Sequence, residues 1–284
     1  MVMSPIHWFG GKSARVKKLL PLIPYHYRYV EVFGGGASLL LGKQPVPVEV
    51  YNDLDSGLVN FFRVLRDEAK YARLCKLAAL TPYSREEYNY CLDTYQAVDD
   101  DVERAYRWFI TARNSFGGLF GESWGVNGMD SKRGMAGRVS AYLSAIDRLP
   151  EVHHRLMRVV IEHNTWERIV EVYDNSETFM YFDPPYVPGT RREGKYKHEM
   201  TLEDHERLVD TLLRIQSKCM LSGYEHDVYK PLDDAGWARR TFDVVCSAAA
   251  RTKATGIQGR GACLKNQGRM EVVWMNYKPG QVTV

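Results

Sequence analysis

Cysteine is scarce in this 284-residue chain, and its placement excludes two structural devices. The five cysteines (Cys75, Cys91, Cys219, Cys246 and Cys263) are odd in number, scattered, and contain no C-x-x-C pair. Neither a disulfide framework nor a structural zinc site is expected from them, and no metal is assigned. No apolar run reaches the roughly 18 residues a membrane span needs, and the opening MVMSPIHWFGG lacks a secretory signal pattern. Reduced thiols without a span or signal predict a cytoplasmic protein that engages no membrane. A strong charge of one sign is missing too. Thirty-eight basic residues against 35 acidic leave a net charge of +3, too small an excess to prove a nucleic-acid partner. There is no internal repeat and no low-complexity tract. With 45% hydrophobic and 26% charged residues, a disordered or fibrous chain is excluded.

Two nucleotide-binding signatures are incomplete. Gly10-Gly11-Lys12-Ser13 ends like a phosphate loop, but the required first glycine falls on Ile6 and no strand precedes it. Gly34-Gly35-Gly36 follows a strand-like run, yet Leu39 occupies the third glycine position of the dinucleotide fingerprint.

What is present is alternation. Arg28 to Phe33 predicts a strand ending at the three glycines, and a helix follows over Ala37 to Lys43. Val46 to Tyr51 predicts a second strand ending at Asn52-Asp53, and Leu58, Phe61, Phe62 and Leu65 mark an amphipathic helix. This is a parallel α/β unit. From Asp67 to about Pro150 the periodicity is helical, with no convincing strand. Val102, Ala105, Tyr106, Phe109 and Ile110 line one helix face, and an irregular Gly- and Asn-rich segment runs from Asn114 to Gly134. Strand signals return at Met157 to Ile161, Thr178 to Phe182, Lys218 to Ser222, Arg239 to Val245 and Met270 to Tyr277. Short helices are expected from Thr165 and from Thr201, where Thr201-x-x-Asp204 imitates a capping box. The chain is therefore read as an α/β core over 1–66 and 151–284, with a helical insertion over 67–150.

Three local patterns point to chemistry. Glycines after a first strand let backbone approach a ligand. Asp53, at the end of the next strand, stands where a carboxylate grips ribose hydroxyls; a tight turn with a surface aspartate explains the same residues equally well. Asp183-Pro184-Pro185-Tyr186 is sharper, because an acid directly after a strand lies at the carboxyl edge of the sheet. An aspartate and a free proline carbonyl can hold both hydrogens of an exocyclic amino group. Tyr186 offers a ring on which a base can stack. A proline-stiffened turn is the plainer alternative. Basic residues cluster after the tetrad at Arg191, Arg192, Lys195 and Lys197. They cluster again from Cys246 to Met270, where Arg251, Lys253, Arg260, Lys265 and Arg269 meet no acid.

In these residues the chain resembles the Dam-like family of DNA adenine-N6 methyltransferases. The resemblance rests on Phe9-Gly10-Gly11-Lys12, Glu31 to Ala37 (EVFGGGA), Asn52-Asp53, Asp183 to Tyr186, and the closing Glu271 to Tyr277 (EVVWMNY). It implies a Rossmann-like, S-adenosylmethionine-dependent core in which the insertion is a target-recognition domain. Phe33, Gly34 and Gly36 would lie along the methionine part of the cofactor, Asp53 would bond its ribose, and Trp8 and Lys12 would close the pocket. Asp183, Pro184, Pro185 and Tyr186 would be catalytic, with Asp183 also lining the cofactor site. Thr165 stands where the family carries an acid for the cofactor's adenine, so that contact is unassigned. Double-stranded DNA is the implied partner and a restriction endonuclease a further one. Arg113-Asn114-Ser115-Phe116-Gly117-Gly118 is similar to the family's DNA-contacting Asn-Arg-aromatic-Gly segment with the arginine displaced, so the target sequence need not be GATC. Arg113, Asn114, Lys132, Arg133, Arg191, Arg192, Lys195, Lys197, Arg251 and Lys253 are the expected DNA contacts. The implied reaction is direct in-line methylation of a flipped adenine. Cytosine amino groups, RNA, or a binding protein with a lapsed site are the alternatives; Asp183 favours adenine, and the intact tetrad argues against a lapsed site.

Overall fold

The computed structural model describes residues 1–126, 128–190, 198–244 and 269–280. Packing divides the chain into two compact units. One is Met1–Tyr181 with Gln216–Lys218 and Pro279–Val284; the other is Phe182–Ile215 with Cys219–Lys278.

The first unit opens with a short helix α1 (Val16–Leu19), then strand β1 (Arg28–Glu31), helix α2 (Ser38–Gly42), strand β2 (Val48–Asn52) and helix α3 (Ser56–Arg66). After the helical region come β5 (Val159–Glu162), α9 (Trp166–Tyr173) and β6 (Thr178–Phe182). The four strands lie in the order β5-β2-β1-β6 and pair in parallel, Val30 standing opposite both Val50 and Met180. A parallel strand needs cover on both faces. Accordingly Tyr29, Val30, Val50, Tyr51, Phe179, Met180 and Tyr181 are all at most 1% exposed. This is why the strand signals read as continuous apolar runs rather than alternation.

The helical region contains α4 (Glu68–Leu80), α5 (Arg85–Thr94), α6 (Asp101–Asn114), α7 (Gly137–Ile146) and α8 (Leu149–Leu156). Side-chain caps start the first three: Asp67 accepts from Lys70 N, Ser84 from Glu87 N, and Asp100 from Glu103 N, each type of cap worth about 1 kcal/mol. The expected face of α6 is buried throughout. Its Phe109 stacks on Phe61 of α3 with ring centroids 5.3 Å apart. One difference from the sequence reading lies here: Ser131–Lys132 (β3) and Met135–Ala136 (β4) form an antiparallel hairpin. Two residues per strand are too few to show a period of two, and the turn is made by Arg133 and Gly134 at φ 54 and 73.

A buried ionic cluster ties α8 to the sheet. Arg155 donates to Glu49 of β2 at 2.5 and 2.8 Å and to the Leu40 carbonyl at 2.9 Å, while Lys43 Nζ reaches Glu49 at 2.7 Å. Burial works to raise the Glu49 carboxyl, but the bonds from Arg155 and Lys43 outweigh it and hold it below its ordinary value.

In the second unit, helix α10 (Leu202–Leu212) starts at Thr201 with the expected capping box. Strand β7 (Lys218–Tyr224), helix α11 (Lys230–Asp234) and strands β8 (Ala238–Val244) and β9 (Arg269–Met275) follow. Here the strand order is β7-β9-β8 and both pairings are antiparallel. The seven strands and their helices make a mixed α/β protein of Rossmann-like methyltransferase type. Among the described residues no helix is long and apolar enough to cross a membrane.

Candidate active site

At the end of β1 the chain must turn away beneath a neighbouring strand, and the glycine run makes this possible. The backbone of Gly34 donates to the Asn52 carbonyl at 2.7 Å. A Cβ on Gly34 would fall 2.1 Å from the Tyr51 ring, so no side chain fits there. Gly35 has φ 47, and its Cβ would press within 2.9 Å of the Trp8 indole. Trp8 thus lies against the turn, with its ring 5.9 Å from that of Trp108. Lys12 is buried, with Nζ donating to the Gly10 carbonyl at 3.3 Å. Phe33 is half-buried and Gly36 buried in the same turn.

Asp53 is bound into this turn. One carboxylate oxygen accepts from Gly35 N and the other from Asp55 N, both at 2.8 Å. Asp55 in turn accepts from Gly57 N and Leu58 N and caps α3. Tyr51 closes the loop by donating to the Gly35 carbonyl at 2.8 Å. Burial pushes the Asp53 carboxyl up to about 6; the two backbone donors and His163 oppose the rise, and Asp55 adds to it. A carboxylate has about four lone-pair sites, of which two are taken, so two remain for the hydroxyls of a diol. Together with the glycine backbone, this arrangement fits a nucleoside. The link from Asp53 to Gly35 is a feature that sequence reasoning missed; the spacing of 18 residues gave no local sign of it.

The tetrad lies in the second unit. Asp183 and Pro185 are half-buried and Pro184 is buried, following Phe182 at the end of β6. Tyr186 is 7% exposed, and its ring meets that of Tyr224 edge-on at 4.6 Å. Tyr224 thus packs against the Tyr186 ring, a contact that the sequence alone does not indicate. Tyr229, fully buried, bonds His205 Nδ1 at 2.9 Å, and burial followed by the charge of Asp183 holds its hydroxyl well above its ordinary range. Neither Tyr224 nor Tyr229 carried a motif signal.

The expected DNA contacts fall into three groups. Lys132 and Arg133 are exposed on the β3–β4 hairpin. Arg113 is half-buried with Nη2 on the Ala141 carbonyl at 2.7 Å, and Asn114 is buried at 1% exposure with neither amide atom hydrogen-bonded among the described residues. The structure does bring two sequence motifs together: a Cβ on Gly118 would lie 3.1–3.2 Å from the backbone of His7, Trp8 and Phe9. Arg191, Arg192, Lys195, Lys197, Arg251 and Lys253 lie outside the described residues. Among the described residues no group of three His, Cys, Asp or Glu is placed to hold a metal ion, and Cys75, Cys91 and Cys219 are free thiols.

Comparison with known proteins places the chain among DNA methyltransferases. The chain is 28% identical over 272 residues to the type II methyltransferase M1.LlaDCHI of Lactococcus lactis subsp. cremoris, covering 89% of this chain and 90% of that protein. It is 24% identical over 226 residues to the type II methyltransferase M.CviBI of Paramecium bursaria Chlorella virus NC1A, covering 77% and 82%. Against the DNA N-6-adenine-methyltransferase of Escherichia phage P1 it is 25% identical over 225 residues, 72% of this chain but 27% of that one. Residues 8–241 match the family described as D12 class N6 adenine-specific DNA methyltransferase. That span holds the Trp8–Lys12 segment, the glycine turn, Asp53 and the Asp183 tetrad, and the chain is an enzyme belonging to this family.

Proposed function

We propose that this chain methylates the N6 amino group of a flipped adenine in double-stranded DNA at a specific site, using S-adenosylmethionine. The observation that carries the reading is the Asp53 carboxylate bonded to Gly35 N at 2.8 Å, with two lone-pair sites left for a ribose diol. S-adenosylmethionine, when bound, supplies a methyl group activated on a sulfonium. The protein's own residues do the rest. Asp53 accepts the ribose hydroxyls; Phe33, Gly34 and Gly36 line the adjoining wall, and Trp8 and Lys12 close it. Asp183 and the Pro184 carbonyl accept both hydrogens of the adenine amino group, localising a lone pair that the ring otherwise delocalises. Pro185 stiffens that turn. Tyr186, held edge-on by Tyr224, takes the extruded base on its ring. Lys132, Arg133, Arg113 and Asn114, with the basic segments at 191–197 and 251–253, meet the duplex. The helical region over 67–150 acts as the target-recognition domain of the core.

The sources of the relatives support action in the cytoplasm of a bacterium or of a phage-infected cell, and the type II names of two of them support a restriction endonuclease as genetic partner. The test is transfer of tritium from labelled S-adenosylmethionine to duplex DNA, followed by nucleoside analysis. Label in N6-methyl-2′-deoxyadenosine supports the reading. Label in N4-methylcytosine, or label taken up by RNA alone, refutes it.

A further inference from the structure

The N-terminal segment and the helical region border a cavity of about 310 Å³ lined by His7, Tyr83, Arg113, Asp130, Arg138 and Tyr142. Its lining carries two arginines against one acid, Asp130, and adds a histidine. Arg113 is held by neutral groups, its Nη2 on the Ala141 carbonyl, while its Nε is buried without an acceptor among the described residues. Arg138 lies 5.4 Å from the Phe116 ring centroid. Burial, with the charges of Arg148 and Arg138 adding to it and Tyr83 opposing, lowers Arg113 to about 10. His7 is likewise held below its ordinary value by desolvation, Arg113 and Arg138. Guanidinium groups stay charged at neutral pH, so their mutual repulsion in one cavity is relieved by an anion with several acceptor oxygens.

We propose that this cavity seats one phosphodiester group of the DNA substrate, with Arg113, Arg138 and His7 as its donors. The assignment rests on DNA being the substrate. His7 and Arg138 thereby become DNA-binding residues that no sequence motif indicated. The cavity is larger than a bare phosphate needs and leaves room for an adjoining sugar. It also lies beside the hairpin that exposes Lys132 and Arg133, since Asp130 precedes β3 and Gly137 and Arg138 follow β4.

Two measurements on the full-length protein test this. The first is the salt dependence of duplex affinity, which changes by about 0.9 in log–log slope per phosphate contact. Arg138→Gln is expected to reduce the slope by about one, and an unchanged slope overturns the assignment. The second follows the His7 ring resonance, identified with His7→Gln, through pH titrations alone, with inorganic phosphate, and with duplex. A seated phosphodiester raises the His7 midpoint when duplex is present. A midpoint unmoved by duplex overturns the proposal, and movement with inorganic phosphate alone assigns the cavity to a free ion and overturns the DNA assignment. The titration uses wild-type protein, so it stands even if Arg138→Gln fails to fold. Wild type that methylates duplex adenine while the slope and the His7 midpoint stay fixed refutes the cavity alone. Wild type that transfers no methyl group to DNA refutes the proposed function instead.

Discussion

Replacing Asp53 with Asn tests the cofactor half of the site, because the change preserves shape and removes charge. In the native protein the carboxyl is raised from 3.8 to about 6 by burial. A raised acid favours folding in its protonated form, so its contribution is fully present below pH 3.8 and is lost as pH climbs through 6. Two pKa units amount to about 3 kcal/mol. Asp53→Asn removes this penalty but leaves either Gly35 N or Asp55 N facing an amide nitrogen, which costs about 1–3 kcal/mol. The two effects nearly cancel, so stability at pH 8 is expected to change little, while the fall in stability between pH 4 and 7 becomes shallower. Ligand binding responds differently. Ribose hydroxyls bond the ionised carboxylate, so wild-type affinity for S-adenosylmethionine is expected to be about tenfold weaker at pH 5 than at pH 8, with a midpoint near 6. In Asp53→Asn that pH dependence disappears and affinity is weak throughout. Calorimetric titration from pH 5 to 8, alongside thermal unfolding over the same range, reads both. Wild-type affinity that is flat in pH, or unchanged in the variant, would falsify the role given to Asp53.

Four further outcomes are expected. Asp183→Ala is expected to lower methyl transfer by about 10²–10³-fold, the typical loss of a transition-state hydrogen bond, while cofactor binding by calorimetry persists; near-normal turnover removes Asp183 from the chemistry. Tyr186→Ala loses stacking worth about 1–3 kcal/mol whereas Tyr186→Phe keeps it, and equal activities for the two variants in a transfer assay would count against the ring as a platform. Arg155→Met leaves the buried Glu49 carboxylate with Lys43 as its remaining ionic partner and the Leu40 carbonyl without its donor, and is expected to cost about 1–3 kcal/mol in urea unfolding; a loss below 1 kcal/mol contradicts the cluster's structural role. Arg191→Ala with Arg192→Ala should lower the salt slope of DNA binding by one or two units and leave cofactor affinity alone, and a changed cofactor affinity with a constant slope refutes the placement of these arginines on DNA.

Local physics accounts for what was legible in the residues alone. The strands around Val30, Val50 and Met180 announce themselves because buried parallel strands are continuously apolar. The box at Thr201 and Asp204 and the face of α6 are read from neighbours three or four positions apart. The glycine turn and the Asp183 tetrad are contiguous, so the family and its adenine chemistry follow from short motifs. What only the tertiary structure decides depends on residues distant in sequence. Packing sets Asp53 on Gly35, Arg155 on Glu49 across 106 residues, and Gly118 against the backbone of His7 to Phe9. It sets Tyr186 edge-on to Tyr224. It also gathers His7, Arg113 and Arg138 around one cavity although none of the three shares a motif. Sequence patterns report which face of an element is apolar; they carry no record of which distant polar group that face will be folded against, and that pairing sets the charge of each site.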